Sequence, residues 1–479
     1  MSERQAQRAR TEALAPATRT HRQRVALGAI FFCALSLSIA WHASHEGRSR
    51  PVDEMPLSAA HGQASGAASG QAARKPMNGS DLVKRGQYLT RLGDCAACHT
   101  SDKSRPFAGG LAIPTPLGTI FTPNITPDPD TGIGQWTDAD FMRAMHEGIG
   151  KSGERLYPAF PYVEFTRVTE QDVLAIRAYL NTVAPIRFKP PPNELRFPFN
   201  QRWLMIFWNL FNFNEGRFVP DPHQSAEYNR GAYLVAGLAH CEECHTPRNF
   251  MQGLKKRNRF SGATQAGWQA YNITPDRVSG IGDWSDAALG AYLVTGVADG
   301  HANAAGPMAE VVQNSTQYLT DEDLRSIVTF LRAQPPVSGG VTRSRDSWGN
   351  PASQPATNDV TTLRGTTITS VNGAQLFIAN CASCHHWTGA GIGASAPGAY
   401  PSLMHNSVVG AASADNLAMV ILHGVARQTK TADVLMPAFG DELTNDQIAA
   451  ISNYVTKAFG NPQATITPEQ VGTLRATPQ

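Results

Sequence analysis

The sequence predicts a mainly α protein in which three small helical domains follow a single N-terminal transmembrane helix. Three observations support this fold class: an uncharged apolar segment near the N-terminus, a Cys-x-x-Cys-His motif that occurs three times, and three similar amphipathic helices, one at the end of each repeat. The 479 residues agree with it, since they correspond to roughly three domains. Strand-like alternation of apolar and polar residues is weak throughout the chain.

The composition is that of an ordinary globular protein. Lys+Arg 41 against Asp+Glu 39 leaves a formal net charge of +2, and 42% of the residues are hydrophobic. These values argue against a nucleic-acid-binding protein, a disordered chain and a polytopic membrane protein. Seven cysteines are too few for a disulfide scaffold, and because the number is odd at least one cannot pair within the chain.

The N-terminal segment predicts a membrane anchor and export of everything after it. Residues 1–24 are rich in arginine, and residues 25–41 carry no charge. As a helix this run is about 26 Å long, at the short end of what spans a bilayer. Arginines before an apolar span favour the cytoplasmic side. We therefore predict an anchor at 25–43, with a cleavable signal peptide ending near Ala40 as the alternative and Cys33 as an apolar filler.

Internal repeats divide the exported part. The motif R-G-x-Y-L occurs at 85–89 and 230–234, and N-I-T-P-D occurs at 124–128 and 272–276. Helices that begin with capping-box sequences at Thr169, Thr320 and Thr444 close the three repeats. The predicted organisation is a cytoplasmic basic segment (1–24), the anchor (25–43), a flexible linker (44–80), domain 1 (81–188), an aromatic connector (189–225), domain 2 (226–336), a linker (337–367), domain 3 (368–462) and a tail (463–479).

Three C-x-x-C-H motifs account for six of the seven cysteines and predict three covalently bound haem c groups. Two thiols one helical turn apart can form thioethers to the haem vinyl groups, while the adjacent histidine binds iron. Thioredoxin-like and zinc sites do not explain a histidine at the same place three times. Such attachment occurs outside the cytoplasm, in agreement with export. The predicted attachment residues are Cys95, Cys98, Cys241, Cys244, Cys381 and Cys384, and the predicted iron ligands are His99, His245 and His385.

Met308 and Met436 are predicted as sixth iron ligands of the second and third haems, because each is flanked by proline shortly before a closing helix. In the first domain the corresponding position is Phe160, which cannot bind iron. The open alternatives are a five-coordinate or water-ligated haem of lower potential, or one of four other residues, Met142, Met145, His146 and Met205.

The connector concentrates aromatic residues and leaves two interpretations open. They are Phe197, Phe199, Trp203, Phe207, Trp208, Phe211 and Phe213. The first interpretation is packing between the first two domains, since buried aromatics are the commoner case. The second is a docking surface for a partner subunit, a quinone or the membrane.

Residues 81–475 resemble the tri-haem cytochrome c subunits of bacterial membrane-bound alcohol, aldehyde, gluconate and sorbitol dehydrogenases. The resemblance rests on RGQYLTRLGDCAACHT, on NITPD followed by GIGQWTDADF, on GPMAEVVQNSTQYLTDEDLRSIVTFLR and on MPAFGDELTNDQIAAISNYV. It implies three cytochrome c-like domains and haem ligands at His99, His245, His385, Met308 and Met436. It also implies that a quinoprotein, flavoprotein or molybdopterin partner oxidises the substrate and that the haems relay electrons to ubiquinone.

The predicted function is therefore an electron-transfer subunit with no catalytic residue of its own, at the inner membrane with its haem domains on the periplasmic side. Two other functions remain open. A peroxidase-like or thiosulfate-oxidising enzyme would use an open first haem, with His146 and Glu147 as the nearby polar groups. A freestanding membrane-tethered shuttle would differ only in its partners.

Overall fold

The computed structural model describes residues 79–349, 371–392 and 400–478, which all belong to one compact unit. The anchor predicted at 25–43 lies outside these residues. In the part of the chain that the structure describes, no helix is long and apolar enough to cross a membrane.

The prediction of a mainly α chain is wrong. Of the described residues, 41% are helical and 10% form strands or bridges, so the fold is mixed. The strands hold between two and four residues and pair as small antiparallel sheets in the loops between helices. Such short strands leave no recognisable alternation in the sequence, because a period of two needs a longer run to be seen.

The first repeat begins with a long helix and ends with the predicted closing helix. The three-stranded sheet has the order β1-β2-β3, and β3 comes from the connector. The elements are α1 (Gly79–Leu92), α2 (Cys95–His99), β1 (Ala112–Thr115), β2 (Gly118–Phe121), α3 (Asp138–Glu147), α4 (Tyr162–Phe165), α5 (Glu170–Leu180), β3 (Glu194–Leu195) and the connector helix α6 (Met205–Asn212).

The second repeat has the same order of helices. A π turn, Leu234–Leu238, continues its first helix toward the second C-x-x-C-H motif. Its elements are α7 (Ala226–Tyr233), α8 (Glu242–His245), β4 (Ala263–Gln265), β5 (Trp268–Ala270), α9 (Asp286–Thr295), β6 (Val297–Ala298), β7 (Ala302–Asn303), α10 (Gly306–Asn314) and α11 (Asp321–Arg332).

The third repeat has the same first helix and closing helix as the other two repeats, and a further helix follows its closing helix. Within the predicted tail, residues 468–475 form a helix whose Val471 is buried in the core of the third repeat. Its elements are α12 (Gly373–Asn380), α13 (Ala382–His385), α14 (Asp415–His423), β8 (Val425–Gln428), β9 (Asp433–Met436), α15 (Asn445–Phe459) and α16 (Pro468–Arg475).

A glycine on the first helix of each repeat allows that helix to cross the closing helix closely. A Cβ built on Gly86 would lie 1.8 Å from the carbonyl oxygen of Ala175, and one on Gly231 would lie 1.9 Å from that of Ser326. Gly373 has the same relation to Ala450, at 2.1 Å. No residue larger than glycine fits at these three positions. The first helix therefore crosses the closing helix in the same way in all three repeats.

The first two domains share one apolar core, whereas the third has its own core. Part of the predicted linker 337–367 packs on the second domain, where Asp346 accepts hydrogen bonds from Trp284 Nε1 at 2.9 Å and pairs with His301 Nδ1 at 2.7 Å. The third domain contacts the second through Asn416, whose amide exchanges two hydrogen bonds with the backbone of Gln269, at 2.8 and 2.9 Å.

Candidate haem attachment sites

Each C-x-x-C-H motif lies on or at the start of a short helix. Helix α2 contains both of its cysteines, whereas Cys241 and Cys381 directly precede α8 and α13, and the motif histidine is the last residue of each helix. Asp94 and His240 precede the first and second motifs with positive φ values of 50 and 37 degrees. The chain therefore turns sharply before the helix begins, which separates the motif from the long helix before it.

The three motif histidines are oriented in the same way. The Nδ1 atom of His99 lies 2.7 Å from the carbonyl oxygen of Pro123, that of His245 lies 2.7 Å from Tyr271, and that of His385 lies 2.9 Å from Pro401. A histidine whose Nδ1–H is donated to a backbone carbonyl presents Nε2 as the metal-binding atom. Burial lowers the pKa of all three imidazoles, which keeps them in the neutral form that binds iron.

A second shared bond fixes the chain after each histidine. The carbonyl oxygen of His99 accepts from Gly109, that of His245 from Gly262, and that of His385 from Gly391, at 2.8, 2.8 and 2.9 Å. All three glycines, Gly109, Gly262 and Gly391, have a positive φ. This backbone conformation favours glycine. The third motif thus has the same local geometry as the first two, although its surrounding sequence has diverged.

None of the six motif cysteines forms a disulfide with another. Burial raises the pKa of Cys95 and Cys241 to about 12 and that of Cys381 to about 11. Reactive redox cysteines and zinc-bound thiolates need a lowered pKa instead. Within the described ranges no three His, Cys, Asp or Glu side chains converge into a metal-binding group. The donor set therefore fits haem attachment better than zinc binding.

The N-I-T-P-D repeat positions the carbonyl groups that orient the first two histidines. Pro123 and Tyr271 directly precede the asparagines of the two copies, Asn124 and Asn272. Each asparagine accepts from the backbone of the threonine two residues later, at 2.9 and 2.8 Å, and donates to a carbonyl of a later segment. The sequence revealed the repeat but not this role, because the carbonyl acceptor carries no side-chain signal.

Met308 and Met436 both lie on regular secondary-structure elements. Met308 is in the first turn of α10, and Met436 is the last residue of β9, where it pairs with Val425 of β8. Both side chains are half-buried. Strand β8 packs against α10, with the backbone N–H of Gln428 donating to Gln313 Oε1 at 2.8 Å.

The helix that carries Met308 also packs against the first attachment helix. α10 contacts α2, and its Glu310 lies close enough to Asp94 for the two carboxylates to interact. Burial, together with the charge of Glu310, holds the pKa of Asp94 well above its usual range. The order in space is therefore the first motif, the Met308 helix, and the hairpin that ends in Met436.

The first domain has no methionine at the corresponding position. The ring of Phe160 packs against that of Phe165, with 5.4 Å between their centroids, and Met145 is buried in the core. His146 is 1% exposed, its Nε2 lies 2.9 Å from the carbonyl oxygen of Val168, and its Nδ1 has no hydrogen-bond partner. Burial and the charge of Arg217 lower the pKa of His146 to about 4, so the imidazole is neutral.

Two further candidates for the first haem are methionines outside the position of Phe160. Met142 is half-buried and packs against the core, and Met205 begins the connector helix α6. His146 is buried and keeps a ring nitrogen without a hydrogen-bond partner among the described residues. Its ligation of the first haem stays a prediction.

The helices, the motif geometry and the oriented histidines define the class of this protein as a c-type cytochrome. The family model for cytochrome c matches residues 83–184 and 370–458. The chain is 43% identical over 405 residues to the fructose dehydrogenase cytochrome subunit of Gluconobacter japonicus, covering 82% of each chain. It is 37% identical over 418 residues to the alcohol dehydrogenase (quinone) cytochrome c subunit of Komagataeibacter europaeus, covering 85% of this chain and 86% of the relative.

A third relative is the gluconate 2-dehydrogenase cytochrome c subunit of Pantoea cypripedii, 35% identical over 408 residues, or 82% of this chain and 89% of the relative. This chain belongs to the family of cytochrome c subunits of bacterial dehydrogenase complexes. The resemblance derived from the sequence is thereby confirmed. The protein is an electron-transfer cytochrome subunit with covalently bound haem c and a catalytic dehydrogenase partner.

Proposed function

We propose that this subunit binds three haems, one at each motif, and relays electrons from its catalytic partner to ubiquinone. The observation that carries the proposal is the common geometry of His99, His245 and His385, each with Nδ1 against a carbonyl oxygen and Nε2 left for iron. When bound, haem supplies a one-electron iron couple. The chain itself holds each ring by two cysteines, orients the proximal histidine and sets the spacing between sites.

The packing of α10 supports a relay through the three sites. This one helix carries Met308, contacts the attachment helix of the first site and packs on the strand pair that ends in Met436. A ligand segment of the second site thus touches elements of both other sites. Close packing of this kind keeps neighbouring redox centres at a fixed separation, which a relay requires.

The connector supports docking at a membrane surface. Its helix α6 is held on one side, where Trp208 Nε1 donates to the carbonyl oxygen of Met251 at 2.8 Å and Asn209 accepts from Tyr162 at 2.6 Å. On its other side Leu210 and Phe211 are 73% and 72% exposed, and Phe207 is exposed as well. A fixed helix with an apolar outer face is typical of proteins that lie on a bilayer. We place the subunit at the inner membrane, with its haem domains on the periplasmic side, where haem attachment takes place.

Two features of the relatives bear on the partner. One relative is named as part of a quinone-linked alcohol dehydrogenase, which supports ubiquinone as the electron acceptor here. The relatives serve fructose, alcohol and gluconate dehydrogenases, so the substrate follows the catalytic subunit and not the cytochrome. We propose that a quinoprotein, flavoprotein or molybdopterin subunit oxidises an alcohol, aldehyde or sugar acid.

The proposal is tested by counting haems in the complex purified from membranes. We expect three haems per chain by mass spectrometry, and one fewer in each variant that replaces both cysteines of a motif by alanine. A near-infrared spectrum of the oxidised protein should show two His/Met haems, and Met308→His and Met436→His should each remove one. A count of two haems in the natural protein, or haems that no partner substrate reduces, contradicts the proposal.

A haem enzyme is the second candidate, and the observation in its favour is Phe160 in the place of a sixth ligand. An iron with an open position binds CO or cyanide. Binding of either to one haem, together with turnover of peroxide or thiosulfate, would favour this function, whereas three low-spin haems would exclude it.

A further inference from the structure

Arg427 is a buried cation with no counter-ion in the described part of the chain. Its side chain is 1% exposed, and Nη1 donates to the carbonyl oxygen of Ala304 at 2.6 Å. Nε and Nη2 are buried, and within residues 79–349, 371–392 and 400–478 they have no hydrogen-bond partner and no carboxylate within ion-pair distance. A buried guanidinium with unsatisfied donors is unfavourable unless an anion accompanies it.

Arg427 belongs to the third domain but reaches into the second. It lies on β8, and a Cβ built on Gly296, which ends helix α9, would lie 2.6 Å from its guanidinium carbon. Its charge also acts on Tyr292 of α9. The free donors of Arg427 therefore lie beside the segment that leads to Met308.

A second cation lies on the histidine side of the same site. The guanidinium of Arg345 is 4.7 Å from the ring centre of Tyr271, the residue whose carbonyl accepts from His245. Arg345 donates to the carbonyl oxygen of Ser279 at 2.6 Å, while its Nε is buried without a partner. The charge of Arg345 acts both on His245 and on Tyr292, which connects it to the surroundings of Arg427.

The nearest carboxylate is already engaged. Asp346 follows Arg345 in the chain, but its oxygens accept from Trp284, His301 and Ser344. It forms no ion pair with either arginine. Among the residues that the structure describes, the two cations therefore have no carboxylate partner. We propose that Arg427 and Arg345 bind the propionate groups of the second haem, so that the third domain contributes a haem-binding residue to the second. This inference rests on the proposal that His245 holds a haem.

The first domain lacks this pair. The residues of the first repeat that correspond to Tyr271 and Tyr292 are Pro123 and Ala144. Gly148, which corresponds to Gly296, is covered by the ring of Tyr162 instead of a guanidinium. A neutral ring in the place of a cation gives the two haems different electrostatic surroundings. A nearby positive charge favours the reduced iron, so the pair raises the potential of the second haem relative to the first.

The test is a redox titration of the purified complex with the full-length chain. Met308→His is used first to identify the component that belongs to the second haem. In Arg427→Gln we expect the reduced-to-oxidised ratio of that component, at a fixed applied potential, to fall about tenfold, which is about 59 mV for a one-electron couple. Arg427→Lys keeps the charge and should restore most of the ratio. Arg277→Gln is the matched control, because Arg277 is an exposed arginine of the same domain.

Three outcomes separate the possibilities. An unchanged ratio in Arg427→Gln with three haems bound overturns the inference, as does a shift in a component that Met308→His leaves alone. If Arg427→Gln does not fold, Arg345→Gln replaces it, with a fall of the same direction expected and an unchanged ratio again overturning the inference. If a variant with both Cys241→Ala and Cys244→Ala loses no haem, this result contradicts the three-haem proposal instead. Failure of the inference about Arg427 can therefore be distinguished from failure of the proposed function.

Discussion

Tyr88 of the first repeat donates a hydrogen bond of 2.5 Å from its hydroxyl to Oδ2 of Asp323 in the second repeat. The reciprocal bond also exists, since Tyr233 of the second repeat donates to Oδ2 of Asp172 in the first at 2.6 Å. Both tyrosines belong to the R-G-x-Y-L motif, and both aspartates lie in the first turn of a closing helix. The repeated motif therefore forms a reciprocal interface between the two domains.

The arginines of the same motif complete the arrangement within each domain. Arg85 pairs with Asp172 at 2.6 Å, and Arg230 pairs with Asp323 at 2.7 Å. Burial, followed by the hydrogen bond and charge of Asp323, raises the pKa of Tyr88 to about 12. The pKa of Asp323 is lowered, because its hydrogen bonds from Arg230 and Tyr88 outweigh the opposing effect of burial.

Removing one tyrosine hydroxyl should weaken the interface between the domains. We expect Tyr88→Phe to lower the free energy of unfolding by about 2 kcal/mol, because it removes a hydrogen bond to a buried charged group. Tyr233→Phe should have a similar effect. Chemical denaturation of the haem-loaded protein measures both. The control is Tyr228→Phe, since Tyr228 contributes a ring contact with Phe330. Equal effects in control and test variants contradict the prediction.

The glycine at the helix crossing should not tolerate a methyl group. In Gly231→Ala the new Cβ would lie 1.9 Å from the carbonyl oxygen of Ser326, so the helices must separate. We expect the free energy of unfolding to fall by roughly 3 kcal/mol, which is within the range found for overpacked cores. Gly290→Ala is the matched control within a helix, because its nearest neighbour is a Leu324 methyl at 3.5 Å. In this control we expect the free energy of unfolding to rise by up to about 1 kcal/mol, because alanine has a higher helix propensity than glycine. A tolerated Gly231→Ala in thermal unfolding would contradict the crossing.

His146 should make the stability of the protein depend on pH. Its pKa in the folded protein is about 4, below the ordinary value of 6.5, so the unfolded chain binds more protons between these values. The free energy of unfolding should therefore fall as the pH drops from about 6.5 and level off below about 4, by roughly 3 kcal/mol in total. The measurement is denaturant unfolding against pH for the natural protein and for His146→Leu. The difference between the two curves isolates this histidine.

A changed spectrum of the first haem in His146→Leu would have another meaning. It would show that the free Nδ1 of His146 binds iron, in which case the pH dependence should be absent. A flat difference curve with an unchanged spectrum contradicts the burial argument itself.

The exposed face of α6 should control attachment to membranes. We expect Leu210→Ser with Phe211→Ser to reduce binding to vesicles of phosphatidylethanolamine and phosphatidylglycerol at least about tenfold, since both side chains lose their apolar contact with the bilayer. Phe250→Ser is the matched control, because Phe250 is 94% exposed outside the connector. Co-sedimentation measures the bound fraction. Unchanged vesicle binding with loss of the catalytic subunit would assign this face to the partner instead.

The connector illustrates what a sequence leaves open. Its aromatic composition is compatible with both burial and docking, because the same side chains serve in cores and at interfaces. The structure buries Trp208 and exposes Trp203, Phe207 and Phe211 on the same segment. The neighbouring domains determine which face of the connector helix is buried. Helical spacing then determines which side chains lie on that face, so no local pattern in the sequence could distinguish burial from docking.

The prediction of the attachment sites rests on local patterns alone. The spacing of two thiols and a histidine is encoded within five residues, and the capping residues Thr169, Thr320 and Thr444 start the closing helices as their sequences indicate. Such features depend on neighbours along the chain. For the same reason the short strands escaped notice, because two to four residues are too few for a periodic signal.

By itself, the sequence determined the three attachment motifs, the division into repeats and the family. Only the tertiary structure decided which distant groups meet: the carbonyl oxygens that orient His99, His245 and His385, the Tyr88–Asp323 bond, and the reach of Arg427 into the second domain. The physical reason is that attachment chemistry is local in the chain. Orientation, charge compensation and burial instead depend on residues that come together only when separate repeats pack.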